Sequence, residues 1–333
     1  MPDPAKTPTV LECCSAAVGS VRGLMLPRRP DARLTAAITD AGLPQPRGTV
    51  AVPAAAPAPR PVPTAAIVEG SFHPRRVDNA LTAFVVEHPR ARFVVDPGVC
   101  REVEQRAIAQ LPAVLRLAVR PPTEPVATID SLQAHDPEPL DFALPTHAHW
   151  DHVCGLLDMP GLPVHLHRVE RQWIMSGPVA PVGGVRDALR DRPTVEYELD
   201  GPPVLTFTAS HDLFGDGTVI LVDLAGHTPG SIGVLAHTRR GWVLLAGDAA
   251  WHNLQIERIR QKASYPGNFA DHDRDATFRT LHRLHLARTT VTIVPTHDHA
   301  ATLPLLAGHD ASTSEPVQRP PGGYGSADRA PRP

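Results

Sequence analysis

Apolar residues recur along this chain in short runs bounded by Gly, Pro, Asp and Asn, the pattern of buried strands separated by turns. Runs at 65–68, 81–87, 92–96 and 140–145 predict a first series of strands. Runs at 194–198, 204–208, 219–224, 231–236, 242–245 and 291–294 predict a second. Apolar positions spaced three and four apart predict helices over 101–118, 169–175 and 275–286. Two strand series with helices around them predict an α/β domain over 64–306, two sheets flanked by helices on their outer faces.

The flanks read differently. Residues 1–63 form an expected N-terminal extension, with a short helix at 31–41 and a Pro- and Ala-rich run at 52–63 that is extended and poorly ordered. Residues 307–333, rich in Pro, Gly and Ser, are expected to be disordered. The 38 prolines in 333 residues, against an average of about 5%, are in keeping with such flanks.

Composition excludes some partners. A net charge of -3 lacks the basic excess that phosphate-backbone binding requires, so nucleic acid is not expected. No stretch approaches the roughly 20 apolar residues of a membrane span. Glu12 and Arg22 break the candidate apolar leader, so a cytoplasmic location is expected. Cys13, Cys14, Cys100 and Cys154 have no framework spacing and read as free thiols. Lys6 and Lys262 are the only lysines among 32 cationic residues, which reads as coding bias rather than function.

Chemistry concentrates in one run. Residues 146–152 read Thr-His-Ala-His-Trp-Asp-His at the end of an apolar strand, with His147 and His149 on one face and Asp151 and His152 past the turn. Imidazoles and carboxylate without thiolate suit catalytic zinc, iron, manganese or cobalt better than a closed structural zinc site. Three later strand ends each carry a further candidate ligand: His227 in Gly-His-Thr-Pro-Gly-Ser, Asp248 in Gly-Asp, and His297 in Pro-Thr-His-Asp. Strand ends at one edge of a sheet can converge on one pocket.

This set resembles the metallo-β-lactamase superfamily, over residues 64–305, and most of all its N-acyl homoserine lactonase branch. The resemblance implies a four-layer αββα sandwich and two divalent ions, with zinc first and Fe, Mn or Co as alternatives. It places His147, His149 and His227 on one ion, Asp151, His152 and His297 on the other, and Asp248 between them. Asp96, at the end of the 92–96 run, would support the ligands from behind, as would Asp298 unless it caps a helix. A hydroxide shared by two ions would attack a carbonyl, with Asp151 and Asp248 as the carboxylates at the reacting atoms. A lactone or related ester is the implied small-molecule substrate, and a homodimer is left open.

One departure stands out. Lactonases commonly carry Tyr three residues after the bridging Asp, and this chain has Trp251, whose indole can donate but not accept. Trp150, Trp251 and Phe72 are candidate walls of a substrate pocket, whereas Trp173 reads as core. His73, His211, His252 and His299 have no place in the motif and read as non-ligands. Two related activities compete: a glyoxalase II-like thioesterase, which would carry a C-terminal helical region, and a persulfide dioxygenase, which would hold a single iron.

Overall fold

Strict alternation builds the first sheet. In β4 (Ala83–His88) and β5 (Ala91–Val95), Phe84, Val86, Phe93 and Val95 face one side and Val85 and Val94 the other, as a two-residue period requires. The structure, a computed structural model, describes residues 10–306 apart from 112, 114, 115, 117, 118, 120–124, 136, 137 and 177–183. Within it, β1 (Ala54–Ala55), β4, β5, β6 (Phe142–Leu144), β7 (Val164–His167) and β8 (Thr194–Tyr197) form a six-stranded sheet in that order. Its members from β5 to β8 run parallel. A five-stranded sheet runs β13 (Thr292–Val294), β12 (Gly241–Leu245), β11 (Ile232–Thr238), β10 (Val219–Asp223), β9 (Ser210–Asp212), antiparallel except for the β12–β13 pair. A separate hairpin joins β2 (Arg60–Pro63) to β3 (Arg76–Asn79).

Three buried clusters make four layers. Between the sheets, Phe84, Phe93, Phe142 and Leu144 meet Val219, Leu221, Val234 and Leu245. On the outer face of the second sheet, Val222, Leu235 and Leu244 pack against Phe278, Leu281 and Leu284 of the helix Arg274–Ala287, which Asp273 caps. On the outer face of the first, Val94, Ala143 and Leu166 pack against Val153, Ile174, Ala188 and Leu189. The expected αββα sandwich is therefore present, and its helices Arg168–Ser176 and Arg274–Ala287 fall where the spacing placed them.

Several elements differ from expectation for local reasons. Residues 65–68 are not a strand: Thr64–Ile67 forms one helical turn, closed by the Val68 N–H on the Thr64 carbonyl at 2.7 Å. Nor are 204–208, where Val204 and Phe207 bond each other across a tight reversal and Leu205 takes a φ of +50. That reversal buries Leu205 and Phe207 without a sheet partner. The helix expected over 101–118 is a turn at Val103–Arg106 and a 3-10 turn at Ile108–Gln110, and much of the remainder lies outside the described residues. The helix expected over 31–41 spans Ala32–Ala37, where the Asp31 carboxylate accepts from the amides of Arg33 and Leu34. The tail at 307–333 also lies outside the described residues.

The largest correction concerns the stretch expected to be poorly ordered. Val50, Val52 and Ala54 lie in the core between the sheets, and Ala54 pairs with Phe84 at the sheet edge. An edge strand tolerates the neighbouring prolines, because their missing N–H groups need not pair inward. Ahead of it, the helix Val10–Met25 buries Ala16 and its Ser20 hydroxyl accepts from the Tyr265 amide. Burying each valine contributes about 1.5–3 kcal/mol, and each kcal/mol shifts the midpoint of a domain this size by about 2–4 °C. Deleting residues 1–56 should therefore lower the calorimetric Tm by more than about 6 °C. An unchanged Tm would return this segment to the status of an appendage.

Candidate metal centre

Strand direction gathers the site. Parallel neighbours β5 and β6 end on Asp96 and on the loop of His147, and parallel neighbours β12 and β13 end on Asp248 and His297. The turn between β10 and β11 delivers His227 to the same edge. Glycine makes two of these approaches sterically feasible. At Gly247, with φ +51, a Cβ would stand 2.4 Å from Thr146 Oγ1, and at Gly226, with φ +140, it would stand 2.3 Å from the Thr277 nitrogen.

All seven expected ligands converge. His149 Nδ1 lies 3.1 Å from His147 Nε2 and 2.8 Å from His227 Nε2, forming one group of three. Asp151, His152 and His297 form a second, with His297 Nε2 3.6 Å from Asp151 Oδ2. Asp248 stands between them. Its Oδ2 faces His227 Nε2 at 3.3 Å, while its Oδ1 faces His152 Nε2 at 3.2 Å and His297 Nε2 at 3.1 Å.

Four of the five rings have a polar neighbour near their other nitrogen. His227 Nδ1 donates to Asp271 Oδ1 at 2.8 Å and His297 Nδ1 to the Ala80 carbonyl at 2.9 Å, which leaves both Nε2 lone pairs pointing inward. His152 Nδ1 lies 2.9 Å from Asp96 Oδ2, and His147 Nδ1 lies 3.2 Å from the Thr146 hydroxyl. Burial and the neighbouring imidazoles push His147 and His149 well below the usual histidine pKa, so they stand neutral, as ligation requires. Burial alone would raise Asp248, but the rings of His297 and His152 hold its carboxyl well below the usual range. Both His152 nitrogens and Asp248 Oδ1 are buried yet make no properly directed hydrogen bond, so Asp96 stands near His152 Nδ1 as a charge rather than as an aligned acceptor. Converging lone pairs and an orphaned carboxylate oxygen in a largely buried site fit a cationic occupant.

Asp96 acts as expected. It accepts from the Thr146 amide, the Thr146 hydroxyl and the Thr296 hydroxyl at 2.7–3.0 Å, which binds the β6 and β13 ends together. Its φ of +52 is a strained conformation maintained by those three bonds. Asp298 does not support a ligand. It caps the helix His299–Thr302 by accepting from Ala301 and also accepts from the Asn253 amide.

The expected pocket residues divide. The Trp251 indole N–H donates to Asp248 Oδ2 at 2.6 Å and its ring stands edge-on to His297, so the N–H serves a ligand. Trp150 is half-buried between two apolar clusters under the first sheet. Phe72 is 55% exposed and belongs to none of the buried clusters among the described residues. Trp173, expected in the core, instead stands edge-on to His149 and to His272 as well as touching the outer cluster. Cys154 is a free thiol, as expected, and is buried with its Sγ on the Gly98 carbonyl.

Three contributors carry no signal in the sequence. Buried Glu170 accepts the Ala148 amide on one oxygen at 2.8 Å and the Gly230 amide on the other at 3.0 Å, pinning two ligand loops together. Its burial raises the carboxyl pKa. Asp271 takes the His227 proton donor, and Lys262 and His227 outweigh burial to bring its pKa to about 2. Lys262, whose side chain is fully buried, donates to Asp271.

A centre of five imidazoles and two carboxylates at the edge of an αββα sandwich defines a family. A family model described as the metallo-beta-lactamase superfamily matches residues 78–297, and the chain belongs to it. The chain is similar to the N-acyl homoserine lactonase AttM of Azorhizobium caulinodans, 24% identical over 72% of this chain and 86% of that one. It is also 31% identical to a probable metallo-hydrolase of Mycobacterium tuberculosis, over 42% of this chain, and spans about half (49%) of that relative's length. An N-acyl homoserine lactone hydrolase with N-hexanoyl-L-homoserine bound at its catalytic metal center shares the fold, with a TM-score of 0.51 at 16% identity over 76% of this chain and 95% of that one. So does a probable metal-dependent hydrolase from Staphylococcus aureus, at TM-score 0.53 and 12% identity over 75% of this chain and 90% of that one.

Glu170 offers a direct check on how the ligand loops are held. Glu170→Ala leaves two buried amides without an acceptor, at about 1–3 kcal/mol each. Urea unfolding should show a loss of about 2–6 kcal/mol. Stability equal to the parent would mean that the loops are held by something else.

Proposed function

We propose that this chain is a metal-dependent hydrolase that opens a lactone or a related ester. The observation that carries this reading is Asp248, whose two oxygens face two separate groups of ligands. His147, His149 and His227 would hold one divalent ion and Asp151, His152 and His297 the other, with zinc first among the candidates for this donor set. Such ions would supply Lewis-acid polarisation of a carbonyl and an acidified water.

The chain's own residues then have defined tasks. Asp248 fixes the relation between the two ligand groups. Asp151, with 16% of its side chain exposed, is placed to exchange a proton with solvent during release of the alkoxide. Trp251 orients Asp248 through its N–H and offers its ring to the acyl part of the substrate. A lactone is favoured because the lactonase relative aligns over most of its length and the solved neighbour binds an acyl homoserine.

Metal analysis with a parallel screen of lactones, thioesters, phosphodiesters and β-lactams tests this reading. Two transition-metal ions per chain and preferential lactone turnover are expected, and Asp248→Ala should cost orders of magnitude in kcat/KM. A single iron with oxygen consumption would replace it with a persulfide dioxygenase, and preference for thioesters with a glyoxalase II-like enzyme.

Trp251 separates its two tasks. Trp251→Phe removes a hydrogen bond to a charged acceptor, about 1.5–3 kcal/mol, and should lower kcat/KM roughly 10- to 100-fold, equally for short- and long-chain acyl lactones. Trp251 as a wall is tested by the alanine variant, Trp251→Ala, which should add a loss that grows with chain length. Equal and negligible effects of both variants would remove Trp251 from the site.

A further inference from the structure

Lys262 contributes no ligand, yet it touches both sides of one half of the centre. Its ammonium donates to Asp271 Oδ1 at 2.8 Å and to the Asp248 main-chain carbonyl at 3.2 Å, and lies 4.9 Å from the centre of the Trp251 ring. Asp271 Oδ1 also receives His227 Nδ1, and Trp251 Nε1 donates to Asp248 Oδ2, the oxygen that faces His227 Nε2. These contacts close a ring of five side chains: Lys262, Asp271, His227, Asp248 and Trp251. Its members are 0–8% exposed apart from Trp251, which is half-buried.

The hydrogen bonds of the ring are one-sided, although the Trp251 ring also stands edge-on to His297. They fix His227 and the Oδ2 side of Asp248, both belonging to the His147, His149 and His227 group. The second group is held by different residues: Asp96 behind His152 and the Ala80 carbonyl behind His297. A buried ammonium shared between Asp271 and the Asp248 carbonyl limits how far either can move, and it balances the charge of the carboxylate that accepts from His227.

We infer that Lys262 is a positioning residue for one of the two ion sites, the one formed by His147, His149 and His227, and that it sets the affinity of that site independently of the other. This inference rests on the proposed dinuclear centre. It goes further by assigning unequal support to the two ions and naming the residue that makes them unequal.

The test is titration of the metal-free full chain with cobalt(II), followed by its visible absorption, for the parent, Lys262→Gln and Lys262→Arg, with folding checked by far-ultraviolet circular dichroism. The parent should take up two equivalents; failure to do so would sink the dinuclear reading itself. Lys262→Gln should weaken one binding step at least tenfold and leave the other within twofold, and Lys262→Arg, which keeps the charge, should recover most of the loss. If the parent binds two ions and Lys262→Gln binds both as the parent does, loses both equally, or gains nothing from the arginine, the inference is wrong. Should Lys262→Gln not fold, the pair Lys262→Met with Asp271→Asn removes both buried charges together. The same loss confined to one ion is then expected, and two parent-like binding steps would overturn the assignment.

Discussion

Buried charge needs compensation, and the architecture of this protein follows from satisfying that requirement at one sheet edge. Asp96, Asp248, Asp271 and Glu170 are all within 8% of complete burial, in the company of His147, His152, His227 and His297. An isolated carboxylate in such a place is unstable. Each therefore has a fixed set of partners: one amide and two hydroxyls for Asp96, two amides for Glu170, an ammonium and an imidazole for Asp271. Asp248 is the exception, since one of its oxygens has no directed hydrogen bond. In the proposed reading, that oxygen is the one left to an ion.

The sandwich makes this concentration of charge tolerable. Apolar layers above, between and below the two sheets exclude water from the strands, while parallel neighbours deliver their polar ends to one edge. The ligand loops are then tied to one another rather than to the strands alone. Glu170 joins the loop of His147 to that of His227, and Asp96 joins the β6 end to the β13 end. Such cross-ties hold the candidate ligands in place.

What could be read from the sequence was local. His147, His149, Asp151 and His152 share one short run, and His227, Asp248 and His297 each follow an apolar strand, so all seven carried a positional signature. Glu170, Asp271 and Lys262 carried none, because a lone acid or base in a helix or connecting loop acquires its role only when a distant loop folds against it. The same holds for Val50 and Val52, whose place between the sheets was concealed by the surrounding prolines. Trp251 was legible as a departure, but the direction of its N–H toward Asp248 was a tertiary fact.

The central claim is that Asp248 joins two ion sites into a single centre. Electron paramagnetic resonance of the chain loaded with two equivalents of cobalt(II) tests it most directly, because ions about 3.5–4 Å apart across a shared ligand couple their spins. A spin-coupled signal is predicted, reverting to that of isolated ions in Asp248→Ala. Two uncoupled cobalt ions in the unaltered chain would contradict the account.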